Sequence, residues 1–200
     1  MCEANVCRSP LAGALLDGAL SEAGIVGAVR TAGTRALVGL SADRDTVDLA
    51  AAQGLDLSGH RARQLDRGLA ASSRLLLTAS RRTRAQAVAF HPPAVRYAFT
   101  IRQLARLLTD PEPGRDPALP TPVGSLDELA GRIDDVRRLA VARRGLRPVD
   151  DPDEDDVIDP YGRSAEFHRR ALDQLLPALD AISRALGGAA VRPPAGPYAP

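Results

Sequence analysis

Apolar residues Leu11, Ala14, Leu15 and Leu20 recur at helical spacing directly after Ser9-Pro10, and the pattern stops near Gly24, which predicts a first helix. Ser9 suits its N-cap and Pro10 its first helical position. Ala28 to Thr31 then reads as a short strand leading into Ala32-Gly33-Thr34. Asp43 to Gln53 fits a second amphipathic helix, with Ser41 or Asp43 as cap and Gly54 as stop. Arg74 to Thr78 is a continuous apolar run of strand length, the pattern of a parallel strand covered on both faces. Arg81 to Phe90 predicts a helix stopped by Pro92 and Pro93, and Val95 to Phe99 a further short strand. Such βα alternation implies an α/β fold with a parallel sheet and right-handed crossovers.

Thr109 to Gly124 is rich in proline and charge and reads as a loop. Ser125 to Arg143 follows as a helix with Leu126, Leu129, Ile133, Val136 and Leu139 on one face, opened by the capping-box pattern Ser125-x-x-Glu128. Residues 109–150 are thus expected to form an inserted arm beside the sheet, with Arg137, Arg138, Arg143 and Arg144 on its wet side. The acidic run Asp150 to Asp156 reads as a solvated loop rather than a cation site. Ala165 to Leu186 makes a last helix, so one domain spans residues 1–186, and Gly187 to Pro200 is expected to be disordered. No internal repeat is present.

Two hundred residues are enough to bury a real core. A net charge of +1 argues against nucleic acid or an anionic membrane as the main partner. There is no lysine, so all 26 basic side chains are arginine. No apolar run approaches the roughly 20 residues of a membrane span, and no signal peptide is visible, so a cytoplasmic protein, monomer or weak dimer, is expected. The two cysteines lie within the first seven residues and cannot staple a domain. His60, His91 and His168 show no paired spacing, so no metal and no cofactor are expected.

The chemistry concentrates in Cys2-Glu3-Ala4-Asn5-Val6-Cys7-Arg8-Ser9-Pro10. A loop of this kind feeding a helix turns successive backbone N–H groups toward an oxyanion, and the helix start adds partial positive charge. Arg8 closes the ring with a two-pronged contact that lysine cannot copy. The same field acts on Cys2: a free thiol titrates at about 8.5, and a helix start with a nearby arginine brings it to roughly 3.5–7.5, making a thiolate nucleophile.

This stretch resembles the signature loop of the low-molecular-weight protein-tyrosine-phosphatase family, Cys-x-Gly-Asn-x-Cys-Arg-Ser-Pro. The resemblance implies a flavodoxin-like fold and metal-free phosphatase chemistry, with Cys2 as nucleophile and Glu3, Ala4, Asn5, Val6, Cys7 and Ser9 lining the anion site. It also implies a reversible Cys2–Cys7 disulfide, against which stands Cys7 as a small buried filler. Ala4 replaces the family's glycine, at a position expected to want positive φ, and Glu3 sets a carboxylate beside the anion. The family's central strand before the cysteine is missing, since only Met1 precedes Cys2; the expectation is a start further upstream, and otherwise a Cys2 on a fraying end. Gly54 to Leu65 also resembles the family, in which the histidine, here His60, supports the loop by hydrogen bonding to its asparagine, here Asn5; a lone histidine is otherwise surface or core.

Asp159-Pro160-Tyr161 resembles the family's second catalytic element, implying Asp159 as general acid and Tyr161 as a wall of an aryl-phosphate crevice; standing alone, Asp-Pro-Tyr-Gly is a good turn. Leu37 stands where many members have tryptophan, leaving less surface to stack on a phosphotyrosine ring. The expected function is cysteine-dependent hydrolysis of phosphotyrosine on protein, or of a similar aryl phosphate. The alternatives are a non-catalytic phosphate-binding relative and an arsenate reductase served by an external thiol.

Overall fold

The computed structural model describes residues 1–109, 123–146 and 148–191. Helix α1 spans Arg8–Glu22, α2 Arg44–Ala52, α3 Arg67–Ser72 and α4 Arg81–Phe90; strand β1 is Leu76–Thr78 and β2 Ala98–Thr100; α5 is Ile101–Thr109, α6 Leu126–Arg144 and α7 Ala165–Ala185. β1 and β2 pair in parallel, Leu76 opposite Ala98 and Thr78 opposite Thr100. On the other side of β1 the array continues through single residues. Met1 donates its N–H to Leu77 O and accepts from Ala79 N, Cys2 bridges Gly33, and Gly33 bridges Gln64, both in parallel. The expected α/β architecture is therefore present, with Met1 and Cys2 alone standing in the central track.

Above that short track a cavity of about 420 Å³ opens between residues 27–32 and residues 72–77, with Leu16, Leu20, Leu129 and Ile133 among its walls. It explains two departures from the expected elements. Ala28 to Thr31 is not a strand, and β1 begins at Leu76 rather than Arg74. A strand exists by virtue of a neighbour's amides and carbonyls, and over these residues the neighbouring track is open space. The strand expected at Val95 to Phe99 starts instead at Ala98, because Pro92 and Pro93 open a tight 3₁₀ turn that runs to Arg96. Cys2 does not fray: it is 3 % exposed, and its carbonyl accepts from Thr34 N at 3.1 Å.

Local signals set the helix starts. Asp43 caps α2 by accepting from Asp45 N, Ser80 caps α4, and Ser125 caps α6 through Glu128 N while Glu128 reaches back to Gly124 N. No element is expected from the sequence over α5, yet its Ile101, Leu104, Ala105 and Leu107 are buried. α7 packs on α1, α2 and α5, and α5 in turn carries α6. Phe99, Leu104, Leu107, Leu175 and Ile182 are fully enclosed between them, each stabilising the fold by about 1.5–3 kcal/mol.

The arm's buried face is rotated from the expected one: Leu129, Arg132, Val136, Ala140 and Arg143 are inside, and Leu126 is exposed. Two arginines explain the rotation. Arg143 donates to Leu107 O at 2.9 Å and Arg132 to Ala185 O at 3.4 Å, both carbonyls in the last turns of α5 and α7. Arg144 stacks over Phe99 and donates to Ala98 O, and burial beside Arg84 lowers its pKa to about 10. Of the four arginines expected on the wet side, Arg138 lies there, paired with Asp135.

The acidic run is likewise not wholly solvated. Asp155 is 2 % exposed and takes a forked contact from Arg106 at 3.1–3.2 Å. The tail expected to be disordered from Gly187 is ordered over residues 187–191, where Gly188 N bonds Ser183 O, Ala189 N bonds Ala19 O and Val191 is buried. The remainder of that tail, and most of the 109–124 loop, lie outside the described residues.

Candidate active site

Chain reversal between the Cys2 track and α1 leaves five residues to make the loop, and one of them must take a left-handed conformation. That residue is Asn5, at φ 61°, and not Ala4, whose φ is ordinary. Asparagine tolerates this region because its short amide bonds locally. Here the amide is fully used: Nδ2 donates to Ser9 Oγ at 2.8 Å and to Thr31 Oγ1 at 3.2 Å, and Oδ1 accepts from Arg63 N at 2.8 Å. His60 Nε2 meets the Asn5 carbonyl oxygen at 2.8 Å, so the expected support is made to the backbone. Val6 O accepts from Asp43 N, fastening the loop to the start of α2.

Ser9 is not the N-cap. α1 begins at Arg8 with Cys7 in the capping position and no side-chain cap bond, and Pro10 falls third. The serine hydroxyl is engaged elsewhere, 3.0 Å from Cys2 Sγ. Because Ser9 Oγ already accepts from Asn5 Nδ2, its own hydrogen is free to point at the sulfur. Gly33 permits the close approach of the two tracks: a Cβ on it would lie 2.3 Å from Glu3 O.

Arg8 is 7 % exposed, and its Nε is buried without a partner among the described residues. Nη1 donates to Val157 O at 3.1 Å and Nη2 lies 2.7 Å from Asp159 Oδ2. Asp159 gets there because its segment is tied at both sides: Val157 N bonds Ala79 O, beyond β1, and Ile158 N bonds Gln174 Oε1 on α7. Tyr161 is half exposed on the same turn, its N–H donating to Asp159 Oδ1. The Glu3 carboxylate faces Arg35 Nη1 at 3.3 Å and Arg82 Nη2 at 3.9 Å, so its charge is partly neutralised. Of the site residues singled out in the sequence, Cys2 through Ser9 form this one loop, His60 and Asp159 bond to it, and Tyr161 lies on the Asp159 turn with its side chain exposed.

Sequence reasoning missed a second layer. Asp43, Thr46 and His168 gather under Cys7, and burial together with Asp43 pushes the Cys7 thiol up to about 12. Cys7 is therefore a neutral thiol in this state. Nothing in the spacing of positions 7, 43, 46 and 168 signals their meeting.

A profile of the low molecular weight phosphotyrosine protein phosphatase family matches residues 1–116. The chain is 34 % identical over 110 residues, 55 % of its length and 73 % of the relative's, to the probable low molecular weight protein-tyrosine-phosphatase EpsP of Ralstonia solanacearum. Among solved structures it is similar to the tyrosine phosphatase AmsI of Erwinia amylovora, with a TM-score of 0.62 at 20 % identity over 92 % of this chain and 88 % of that one. It is also similar to the YwlE arginine phosphatase of Geobacillus stearothermophilus, with a TM-score of 0.60 at 21 % identity over 90 % of this chain and 86 % of that one. At these identities the structural likenesses speak for the fold.

Proposed function

We propose that this chain, a member of the low molecular weight phosphotyrosine protein phosphatase family, hydrolyses phosphotyrosine on proteins or similar aryl phosphates through a cysteinyl-phosphate. The observation that carries this reading is the meeting of Cys2, Arg8 and Asp159: a sulfur faced by a serine hydroxyl, a buried guanidinium with an unused Nε, and a carboxylate at its edge.

In the first step the Cys2 thiolate attacks phosphorus in line, an S–P bond forms, and the P–O bond to the leaving group breaks. Asp159, entering as the acid, gives its proton to the departing phenoxide. In the second step the Asp159 carboxylate takes a proton from water, the hydroxide attacks phosphorus, and the S–P bond breaks to return the thiolate and release phosphate. Such acid and base assistance contributes about 10²–10⁴ in rate. Arg8, with the N–H groups of the loop and of the start of α1, holds the equatorial oxygens throughout. No metal is needed, because the charge developing on the phosphoryl group is met by these fixed donors.

Asp159 and Arg8 form an ion pair. An arriving phosphoryl group competes with the carboxylate for the guanidinium, and the released carboxylate, no longer paired with a cation, takes up a proton from solvent and so enters as the acid. Leu37 packs beside the loop and Tyr161 is half exposed on the Asp159 turn, so the apolar surface offered to an aryl ring is modest and chemistry is better supported than tight selection of one ring.

The test is turnover of p-nitrophenyl phosphate by the wild-type chain, Cys2→Ser and Asp159→Ala. Expected are no turnover in the first variant and a large fall in kcat in the second. Turnover that survives Cys2→Ser overturns the proposal. Phosphate binding with no turnover in the wild type favours the non-catalytic alternative, and thiol-dependent reduction of arsenate with no ester hydrolysis favours the reductase.

A further inference from the structure

The geometry points to a metal site beneath the loop: we propose that Cys7 Sγ, a carboxylate oxygen of Asp43 and His168 Nε2 bind one zinc ion. The three side chains come from three elements, the residue capping α1, the residue capping α2 and the first turn of α7. One donor atom from each lies within 4.8 Å of the others.

A second observation points to a ligand. His168 is 2 % exposed and among the described residues its ring makes one hydrogen bond, Nδ1 with Thr46 Oγ1 at 3.2 Å. Nε2 is aimed at Asp43 Oδ1 at 3.6 Å and Asp45 Oδ2 at 4.0 Å, both too long for a hydrogen bond. With Nδ1 held by the threonine, Nε2 is turned toward two carboxylates and a sulfur. As a lone pair it joins them as one donor around a cation. Thr46 plays the part that an outer hydrogen-bond partner plays for a metal-bound imidazole, holding the ring and its tautomer.

Thiolate, imidazole and carboxylate in one site select zinc over magnesium or calcium, which prefer oxygen alone. Zinc bonds of about 2.0–2.3 Å in a tetrahedron place donor atoms roughly 3.3–3.8 Å apart, so donor atoms that lie within 4.8 Å of one another need close by about 1.5 Å or less. Asp45 or a water takes the fourth position. Binding forms a Zn–S bond and expels the Cys7 proton to solvent, with no change of oxidation state. The ion would pin the phosphate loop to α2 and α7 and withhold the Cys7 sulfur from reaction with Cys2. The proposal is independent of whether the loop catalyses phosphate transfer.

Cobalt(II) is the probe, titrated into the full chain and into Cys2→Ser, which removes the other thiol. Expected in both is one bound equivalent with a thiolate-to-cobalt charge-transfer band and visible bands of tetrahedral intensity, displaced by zinc, and a rise in Tm with micromolar zinc. Cys7→Ser abolishes the charge-transfer band. Asp43→Asn, which preserves the helix cap, and His168→Gln each weaken binding by about tenfold or more; the asparagine variant decides the matter if the glutamine one does not fold. A band that survives Cys7→Ser, a weak octahedral spectrum without thiolate character, or an unchanged Tm overturns the proposal.

Discussion

Arg8 Nη2 and Asp159 Oδ2 stand 2.7 Å apart, joining the start of α1 to the turn before α7. The guanidinium is buried while the carboxylate is half exposed, so the ion pair is partly screened and the carboxylate is the mobile partner. On the proposed function, it occupies a donor that the phosphoryl group takes.

Asp159→Asn therefore separates binding from turnover. With its charge gone, inorganic phosphate should inhibit several-fold more tightly, a gain of about 1 kcal/mol or less given the exposure of the carboxylate. At the same time kcat falls by about 10²–10⁴. Competitive inhibition by phosphate, read in this variant and in wild type, checks both; weaker phosphate binding in the variant would show that Asp159 does not compete for Arg8.

Asn5 combines a left-handed backbone with three side-chain hydrogen bonds in a fully buried setting. Asn5→Ala loses the bonds and keeps the backbone strain, at an expected cost of about 3 kcal/mol or more; Asn5→Gly loses the same bonds but relieves the strain, and should be milder by about 1 kcal/mol. Urea unfolding of the pair measures the difference, and equal losses would remove the conformational argument.

Gly33 sits between the Cys2 and Gln64 tracks with no room for a side chain. Gly33→Ala drives a methyl into the Glu3 carbonyl, so the loop must shift, with an expected destabilisation of about 2 kcal/mol or more and loss of most activity. Thermal unfolding beside p-nitrophenyl phosphate turnover tests it. Gly59→Ala, at a position with open space around the missing Cβ, serves as control.

In a chain that starts at Met1 with a free amine, burial lowers the pKa of that amine from 8.0 to about 6. Between these values the unfolded chain binds a proton that the folded chain does not, so stability rises as pH increases from 6 to 8 and levels off above. The size is on the order of 2 kcal/mol. An apolar, β-branched extension of about five residues fused ahead of Met1 should abolish this dependence and raise Tm, since it turns the amine into an amide and fills the 420 Å³ cavity. Tm across that pH range, with and without the extension, is the measurement; an extension that leaves both unchanged shows that it does not enter the cavity.

Much of this protein was legible in its sequence where the determinants are local. The limits of α2 and α4 follow from the caps Asp43 and Ser80 and from the Gly54 and Pro92 stops, because a cap bonds within its own first turn. The loop from Cys2 to Pro10 was readable as an anion-binding motif from its residue types, while Asp159 and His60 were singled out through the family resemblance. Tertiary structure decided what depends on partners distant in the chain. It gave the positive φ to Asn5 rather than Ala4, turned Ser9 from a helix cap into a partner of sulfur, and sank Arg132 and Arg143 onto the ends of other helices. It also left Ala28 to Thr31 without a ladder and gathered Cys7, Asp43 and His168. A buried polar group takes whichever partner the packed fold offers, and periodicity along the chain carries no record of that choice.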